Sequence, residues 1–335
     1  MKLSSMGLGT CLAAALAIFA LPAVAQVSAP SHPLVGKIFD TRTGVLVELT
    51  DASLIPKLFP CAAITLLGEV HDNADHHKMR GALVKANVSI GRVLPANCGR
   101  GSFVFEHISA DQQAGLDRFY EFDRTARRLA TANDLFRLIG WDTSGWPGRT
   151  LFKPLMQEVV RSRRTIVVGN PSKEWSRRIA KEGLGVLPSE RNHQLSLDRQ
   201  LDNALSDALL QELEASHCGL IPKSAFCNMA SAQRYKDAYM AEATQKAANA
   251  HGSAVLFAGN GHIRSDRGVG AVLRRIAPER TVIAVAFVET EDGKTDPATY
   301  GPRDPAGKPA ADYIAFALPA KREDPCAQMR SLMKK

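Results

Sequence analysis

This 335-residue chain predicts an α/β fold: a mostly parallel central sheet with helices on both faces and a helical insertion. Three observations lead there. Short apolar runs recur at 62–67, 102–105, 165–170, 253–258 and 281–287. They do not alternate with polar residues, which is the pattern of strands buried on both faces. Between them lie stretches of helical period, and a strand, helix, strand order favours parallel pairing through right-handed crossovers.

The elements follow in order. Met1-Lys2 precedes an almost uncharged stretch ending in Ala23-Val24-Ala25. This is expected to be a secretory signal peptide, residues 1–25, cleaved after the A-x-A site. Residues 26–335 then form a single α/β domain. Cys11 precedes the apolar core of the leader rather than following it, so lipoprotein anchoring is not expected. No other run is long enough to span a bilayer, and a periplasmic location follows. Residues 35–39 and 45–49 read as a hairpin around Thr43-Gly44. The strand at 62–67 is followed by Gly68, then by a helix over 73–86 with Asp72 as its N-cap and Asp75 completing a capping-box-like pair. The strand from Ser102 ends in Glu106-His107.

Helices are expected at 111–122, 125–139, 155–163 and 172–181. The loop 140–148 carries two of the three Trp, either capping the core or walling a pocket. The helical insertion covers about 185–250, with one long helix at 193–216 and another at 228–250. On the second, Tyr235 and Tyr239 are four apart and share a face. After the strand at 253–258, Asp266 is placed to cap a helix reaching Ile276. Residues 289–312 are polar and rich in Pro and Gly, a surface loop, and 313–318 reads as a last strand.

Charge and cysteine usage narrow the chemistry. The formal net charge is +8, but the basic residues are scattered and aromatics do not interleave with them. That pattern argues against a nucleic-acid partner and suits a small anionic ligand. Of six Cys, five remain after the leader. Export makes disulfides expected. Cys218 and Cys227 flank a Gly/Pro loop and could pair. Cys61 and Cys98 would meet at one sheet edge if the strands after them are parallel neighbours, which leaves Cys326 over. There is no C-x-x-C, no G-x-S-x-G elbow, no P-loop and no G-x-G-x-x-G.

One stretch concentrates ionisable groups. Gly68-Glu69-Val70-His71-Asp72-Asn73-Ala74-Asp75-His76-His77 holds one Glu and three of the nine His. Glu69 and His71 are two apart and point the same way from an extended backbone. Ligands of open α/β sheets sit outside the carboxyl ends of the strands. Glu69, His71, Glu106, His107 and His262 all fall there. The bland alternatives are a polar strand-to-helix loop, a satisfied buried Glu106-His107 pair and core tyrosines.

With these segments in hand, the chain resembles the ChaN family of haem-binding uptake proteins, within the Tiki, TraB and erythromycin-esterase superfamily. The carriers are residues 67–73 with His76-His77, Phe105-Glu106, Gly259-Asn260-Gly261-His262, Asp266-Arg267-Gly268 and Asp324-Pro325-Cys326. The resemblance implies non-covalent haem binding for iron uptake. Haem needs an axial ligand, an apolar slot and basic groups for its propionates. Candidates are Glu69, His71, His76, His77, Glu106, His107 and His262 for the site, and Tyr235 and Tyr239 for an axial tyrosine of the kind the family is described as using. Arg264 and Arg267 would meet the propionates. A homodimer and peripheral membrane association are also family-level expectations. An alternative is a metal-dependent hydrolase, a Tiki-like peptidase or esterase, holding Mn, Zn or Co through Glu69, His71, Glu106 and His262. A third reading is a non-catalytic periplasmic interaction module.

Overall fold

The computed structural model describes residues 32–91, 98 and 100–333. The expected signal peptide lies outside them. Among the described residues, eight strands form one sheet in the order β2-β1-β8-β7-β3-β6-β4-β5. They are β1 (Lys37–Asp40), β2 (Leu46–Glu48), β3 (Ile64–Leu67), β4 (Ser102–Ser109), β5 (Thr165–Asn170), β6 (Ala254–Phe257), β7 (Val282–Glu289) and β8 (Tyr313–Ala317). The hairpin β1-β2 and the β1-β8 pair are antiparallel, while β8, β7, β3, β6, β4 and β5 run parallel.

The helices are α1 (Ile55–Leu58), α2 (Ala74–Ile90), α3 (Gln113–Thr125), α4 (Ala132–Leu138), α5 (Arg149–Ser162), α6 (Lys173–Glu182), α7 (Ser189–Gln194), α8 (Asn203–Ser216), α9 (Lys223–His251), α10 (Val269–Ile276) and α11 (Pro325–Met333). The absence of alternation in the central strands now has its cause. Leu67, Phe103, Phe105 and Phe257 pack with Leu83, Val84, Phe152 and Leu155 of α2 and α5 on one face. Ile64, Leu66, Val104 and Leu256 pack with Met240, Ala241, Ala248 and Leu273 of α9 and α10 on the other. Apolar residues therefore face both ways along each central strand, and the buried polar exceptions such as Thr65 find a backbone partner, here Leu58 O at 2.6 Å. The 29-residue α9 covers β5, β4, β6 and β3 directly, and α10 covers β7 beside it.

Several boundaries differ from expectation. The helix expected at 193–216 is two helices, α7 and α8. Ser196 takes a left-handed conformation with φ 55°, Leu195 and Leu197 sink into a cluster with Ile179 and Tyr235, and Asp202 caps the restart through Leu205 N–H at 2.8 Å. Asn73, not Asp72, caps α2, accepting from the N–H groups of Asp75 and His76. Asp72 instead pairs with Arg322 at 2.8 Å. Asp266 does not cap α10, whose N-cap position is Gly268. Asp266 pairs with Arg264 and Arg267.

The expected Cys218–Cys227 pair does not form. Cys218 bonds to Cys326 across 108 residues, and Cys227 is free and exposed on α9. A short loop suggests a local bridge, but the C-terminal helix comes back to the α8-α9 turn and takes Cys218 first. Cys61–Cys98 is a disulfide, although β6 stands between β3 and β4. All three strands begin at one edge of the sheet, so the segments before β3 and β4 meet there despite the intervening strand. Among the described residues no helix is long and apolar enough to cross a membrane.

Candidate functional site

The carboxyl ends of β3, β6 and β4 lie side by side, and their continuations carry the polar groups. Pairing extends past the strands. Gly68 donates its N–H to Val285 O at 2.8 Å, and Asn260 donates its own to Glu69 O at 3.0 Å. The two glycine-led segments interlock. A Cβ at Gly68 would collide with Asn260 Oδ1, and one at Gly259 would lie 2.9 Å from His71 Nε2. Each glycine leaves room for the other segment's side chain. Asn260 uses that space to reach β7, donating Nδ2–H to Phe287 O at 2.7 Å and accepting from Phe287 N–H at 3.2 Å.

Glu69 is 2% exposed and sits at the centre of a first cluster. Its Oε1 accepts from His71 Nδ1 and from His107 Nε2, each at 2.6 Å. Its Oε2 pairs with the Arg80 guanidinium. Arg80, one turn beyond His77 on α2, also donates to His77 Nδ1 at 2.7 Å, and His77 Nε2 donates to His71 O at 3.0 Å. His76 turns the other way, its Nδ1 accepting from Val70 N–H at 3.0 Å. Burial holds all four imidazoles down: His71 and His107 below the usual value, His76 to about 4 and His77 to about 3. They are therefore neutral at neutral pH. Burial also lowers the Arg80 guanidinium to about 9, against the pull of the Glu106 charge, which leaves it charged at neutral pH and paired with Glu69.

Glu106 anchors a second cluster. Its Oε2 accepts from Gly259 N–H at 2.8 Å. Its Oε1 lies 3.3 Å from His262 Nε2, and His262 Nδ1 donates to Asp237 Oδ1 at 2.6 Å. Burial disfavours the His262 cation, but Glu106 and Asp237 on either side outweigh it and raise the imidazole to about 10. His262 thus lies buried between two carboxylates, which favour its cation while burial pushes the Asp237 carboxyl up.

Of these groups, His71 faces outward, with a side chain 37% exposed. Its Nδ1–H is committed to Glu69, so Nε2 carries the free lone pair, beside the Gly259 backbone. Trp146 stands next to it, with ring centroids 4.9 Å apart, and 4.7 Å from His107. The two tryptophans of the 140–148 loop divide the two roles expected of them. Trp141 is 1% exposed, packs on Phe152 and Phe136, and donates to Pro147 O. Trp146 walls the site.

Tyr235 and Tyr239 are not brought to this centre. Their rings lie 6.3 Å apart within the cluster of Ile179, Leu187 and Leu195, near the Arg191–Glu242 pair. Arg264 is bound to Asp266 and to Arg303 O, and Arg267 to Glu212, so both cations already have partners. The residues missed from the sequence are Arg80, Asp237 and Trp146 as a neighbour of His71. Arg80 was within reach of sequence reasoning, since its spacing from His77 puts the two on the same side of α2. Asp237 lies between two tyrosines on a long helix and nothing local marks it.

In chemical terms, Glu69, His71 and His107 offer donor atoms all within 4.8 Å of one another. Beside them, Trp146, Asn170, Lys173, Ser176, Arg177 and Lys236 line a cavity of about 270 Å³. A larger cavity of about 420 Å³, lined by Ile38, Val47, Leu54 and Tyr313, lies among the hairpin, α1 and the start of β7. No histidine or glutamate lines it, so size alone does not locate the chemistry.

Comparison with known proteins gives this arrangement a context. The family profile described as "Haem-binding uptake, Tiki superfamily, ChaN" matches residues 59–273. Among solved structures, ChaN of Campylobacter jejuni, described for its cofacial haem binding, superposes with a TM-score of 0.62 at 20% identity, covering 83% of this chain and 95% of that one. An erythromycin esterase, EreC, in its open conformation gives 0.41 at 14% identity, covering 84% and 96%. The type III effector HopBA1 gives 0.40 at 12%, covering 78% and 90%. The last two superpose too loosely to inform the site. No curated protein matches by sequence.

Proposed function

This chain belongs to the ChaN family of haem-binding uptake proteins, and from that premise we propose that it captures haem non-covalently at the carboxyl edge of its sheet, with His71 as the iron ligand. The observation that carries the reading is the orientation of His71. Its Nδ1–H is spent on Glu69 at 2.6 Å, which leaves Nε2 as the donor on the partly exposed side. A histidine ligand whose other ring nitrogen is fixed by a carboxylate is the usual arrangement for holding a metal, because the partner sets the tautomer and raises basicity. Burial keeps His71 neutral, the form an iron requires. Haem would supply an iron able to take a histidine ligand and a flat apolar face. The chain supplies the cradle at Gly259, which any side chain would fill, and the indole of Trp146 alongside. The two disulfides suit an oxidising compartment and support export to the periplasm.

A second reading, a divalent-metal hydrolase, draws on the donor set of Glu69, His71 and His107. The Arg80 guanidinium already neutralises Glu69, and a dication beside a buried guanidinium is electrostatically costly. We therefore place it second. A titration with haemin separates the readings. Saturable Soret change in the wild type, lost or shifted in His71→Ala, is the expected result. An unchanged spectrum in His71→Ala would remove His71 as ligand. Stoichiometric Mn, Zn or Co in the isolated protein with no Soret change would favour the hydrolase.

A further inference from the structure

The cavity beside Trp146 has the makings of a binding site in its own right. It opens where β5 ends in Asn170 and α6 begins, at the same sheet edge as His71. Three of its lining side chains are cations: Lys173, Arg177 and Lys236. Among the described residues none of the three forms an ion pair or a side-chain hydrogen bond. Arg264 and Arg267, in contrast, are bound to acidic partners. The nearby carboxylate Asp111 is turned to the Lys173 backbone N–H at 2.8 Å, not to any cationic head. The indole of Trp146 forms a wall shared with His71. Lys236 lies on α9 next to Asp237 and close enough that its charge acts on His71.

The volume, about 270 Å³, falls below what a whole drug-sized ligand takes, roughly 300–1,000 Å³. It is room for an arm of a ligand. Unpaired cations beside an aromatic wall select an anion attached to a flat ring system.

We infer that this cavity is the anion subsite of the ligand site, in which Lys173, Arg177 and Lys236 take the carboxylates of a flat aromatic ligand. These are the propionates where the ligand is haem, and in that identification the inference rests on the function proposed above. A ligand held this way would meet Trp146 with its ring and Lys173, Arg177 and Lys236 with its carboxylates.

The test uses the full folded chain and a Lys173→Gln, Arg177→Gln, Lys236→Gln triple variant, with thermal melts confirming that both fold. Each is titrated with haemin and with haemin dimethyl ester, whose carboxylates are blocked. The wild type should prefer the free acid by about tenfold or more, the scale of one charge-assisted contact. The triple variant should lose that preference and bind both as weakly as the wild type binds the ester, with the Soret position unchanged because the iron ligand is elsewhere. Equal binding of acid and ester by the wild type, or a preference kept by the variant, overturns the inference. Should neither haemin bind the wild type, the function above fails and calorimetry with inorganic pyrophosphate decides. Pyrophosphate binding lost in the triple variant sustains an anion site for another ligand, and absent or unchanged binding overturns it.

Discussion

Replacing Gly68 by Ala probes the interlock between the two glycine-led segments. The new Cβ would stand inside contact distance of Asn260 Oδ1 and 3.0 Å from Ile263 Cγ1. Asn260 cannot yield freely, because its amide bridges to the β7 backbone through two hydrogen bonds with Phe287, at 2.7 and 3.2 Å. Displacing it costs about 1 kcal/mol for each bond, more for any group left buried and unpaired, and crowding adds about 1–3 kcal/mol. Gly68→Ala should therefore destabilise by about 3–5 kcal/mol. Asn260→Ala alone should cost about 2–4 kcal/mol, since it strips the same two bonds. In the double variant most of the Gly68→Ala cost should vanish and only the Ile263 contact should remain, so the two substitutions should couple by about 2 kcal/mol. Urea unfolding of the four proteins, with disulfides intact and m-values compared, measures this. Additive costs within about 0.5 kcal/mol would refute the reasoning.

Three further outcomes follow from the geometry. Gly259→Ala puts a Cβ 2.9 Å from His71 Nε2. The partly exposed ring can swing aside, so stability should change by less than about 1 kcal/mol while haemin binding, read by the Soret band, falls at least tenfold. His76, lowered to about 4 by burial, makes stability depend on acid. The unfolded histidine takes up its proton near 6.5, and the folded one resists until about 4. The stabilisation is thus complete above pH 6.5 and lost as pH falls toward 4, a contribution of about 3 kcal/mol at most. His76→Gln should flatten that limb of the urea midpoint against pH, and an unaltered limb would sink the assignment. Cys326→Ser opens a bridge spanning 108 residues and should cost about 3–5 kcal/mol. A thiol titration of the unreduced chain lacking residues 1–25 should find one thiol in the parent, Cys227, and two in the variant.

Much of the fold is legible in the linear sequence because its rules are local. Runs such as Ile64–Leu67, with no alternation of apolar and polar positions and only Thr65 polar, read as strands covered on both faces, since one wet face would impose alternation. A parallel sheet then puts every strand's carboxyl end at one edge, and so Glu69, Glu106 and the Gly259 segment could be placed together before any coordinates. The glycines that interrupt polar stretches likewise announce close approach, though not to what. The tertiary structure decided everything that depends on which distant segments meet. It inserted β6 between β3 and β4, because strand order is set by where each crossover helix packs. It gave Cys218 to Cys326 over the nearer Cys227, because the C-terminal helix returns to that turn. It split the expected 193–216 helix, because burying Leu195 and Leu197 outweighed local periodicity. It put Trp141 in the core and Trp146 against His71, sent Tyr235 and Tyr239 into the helical cluster, and brought Arg80 and Asp237 to the two carboxylates. Spacing along a chain determines which residues share a face. Only packing determines what that face meets, and the charge balance of a buried site is made of such meetings.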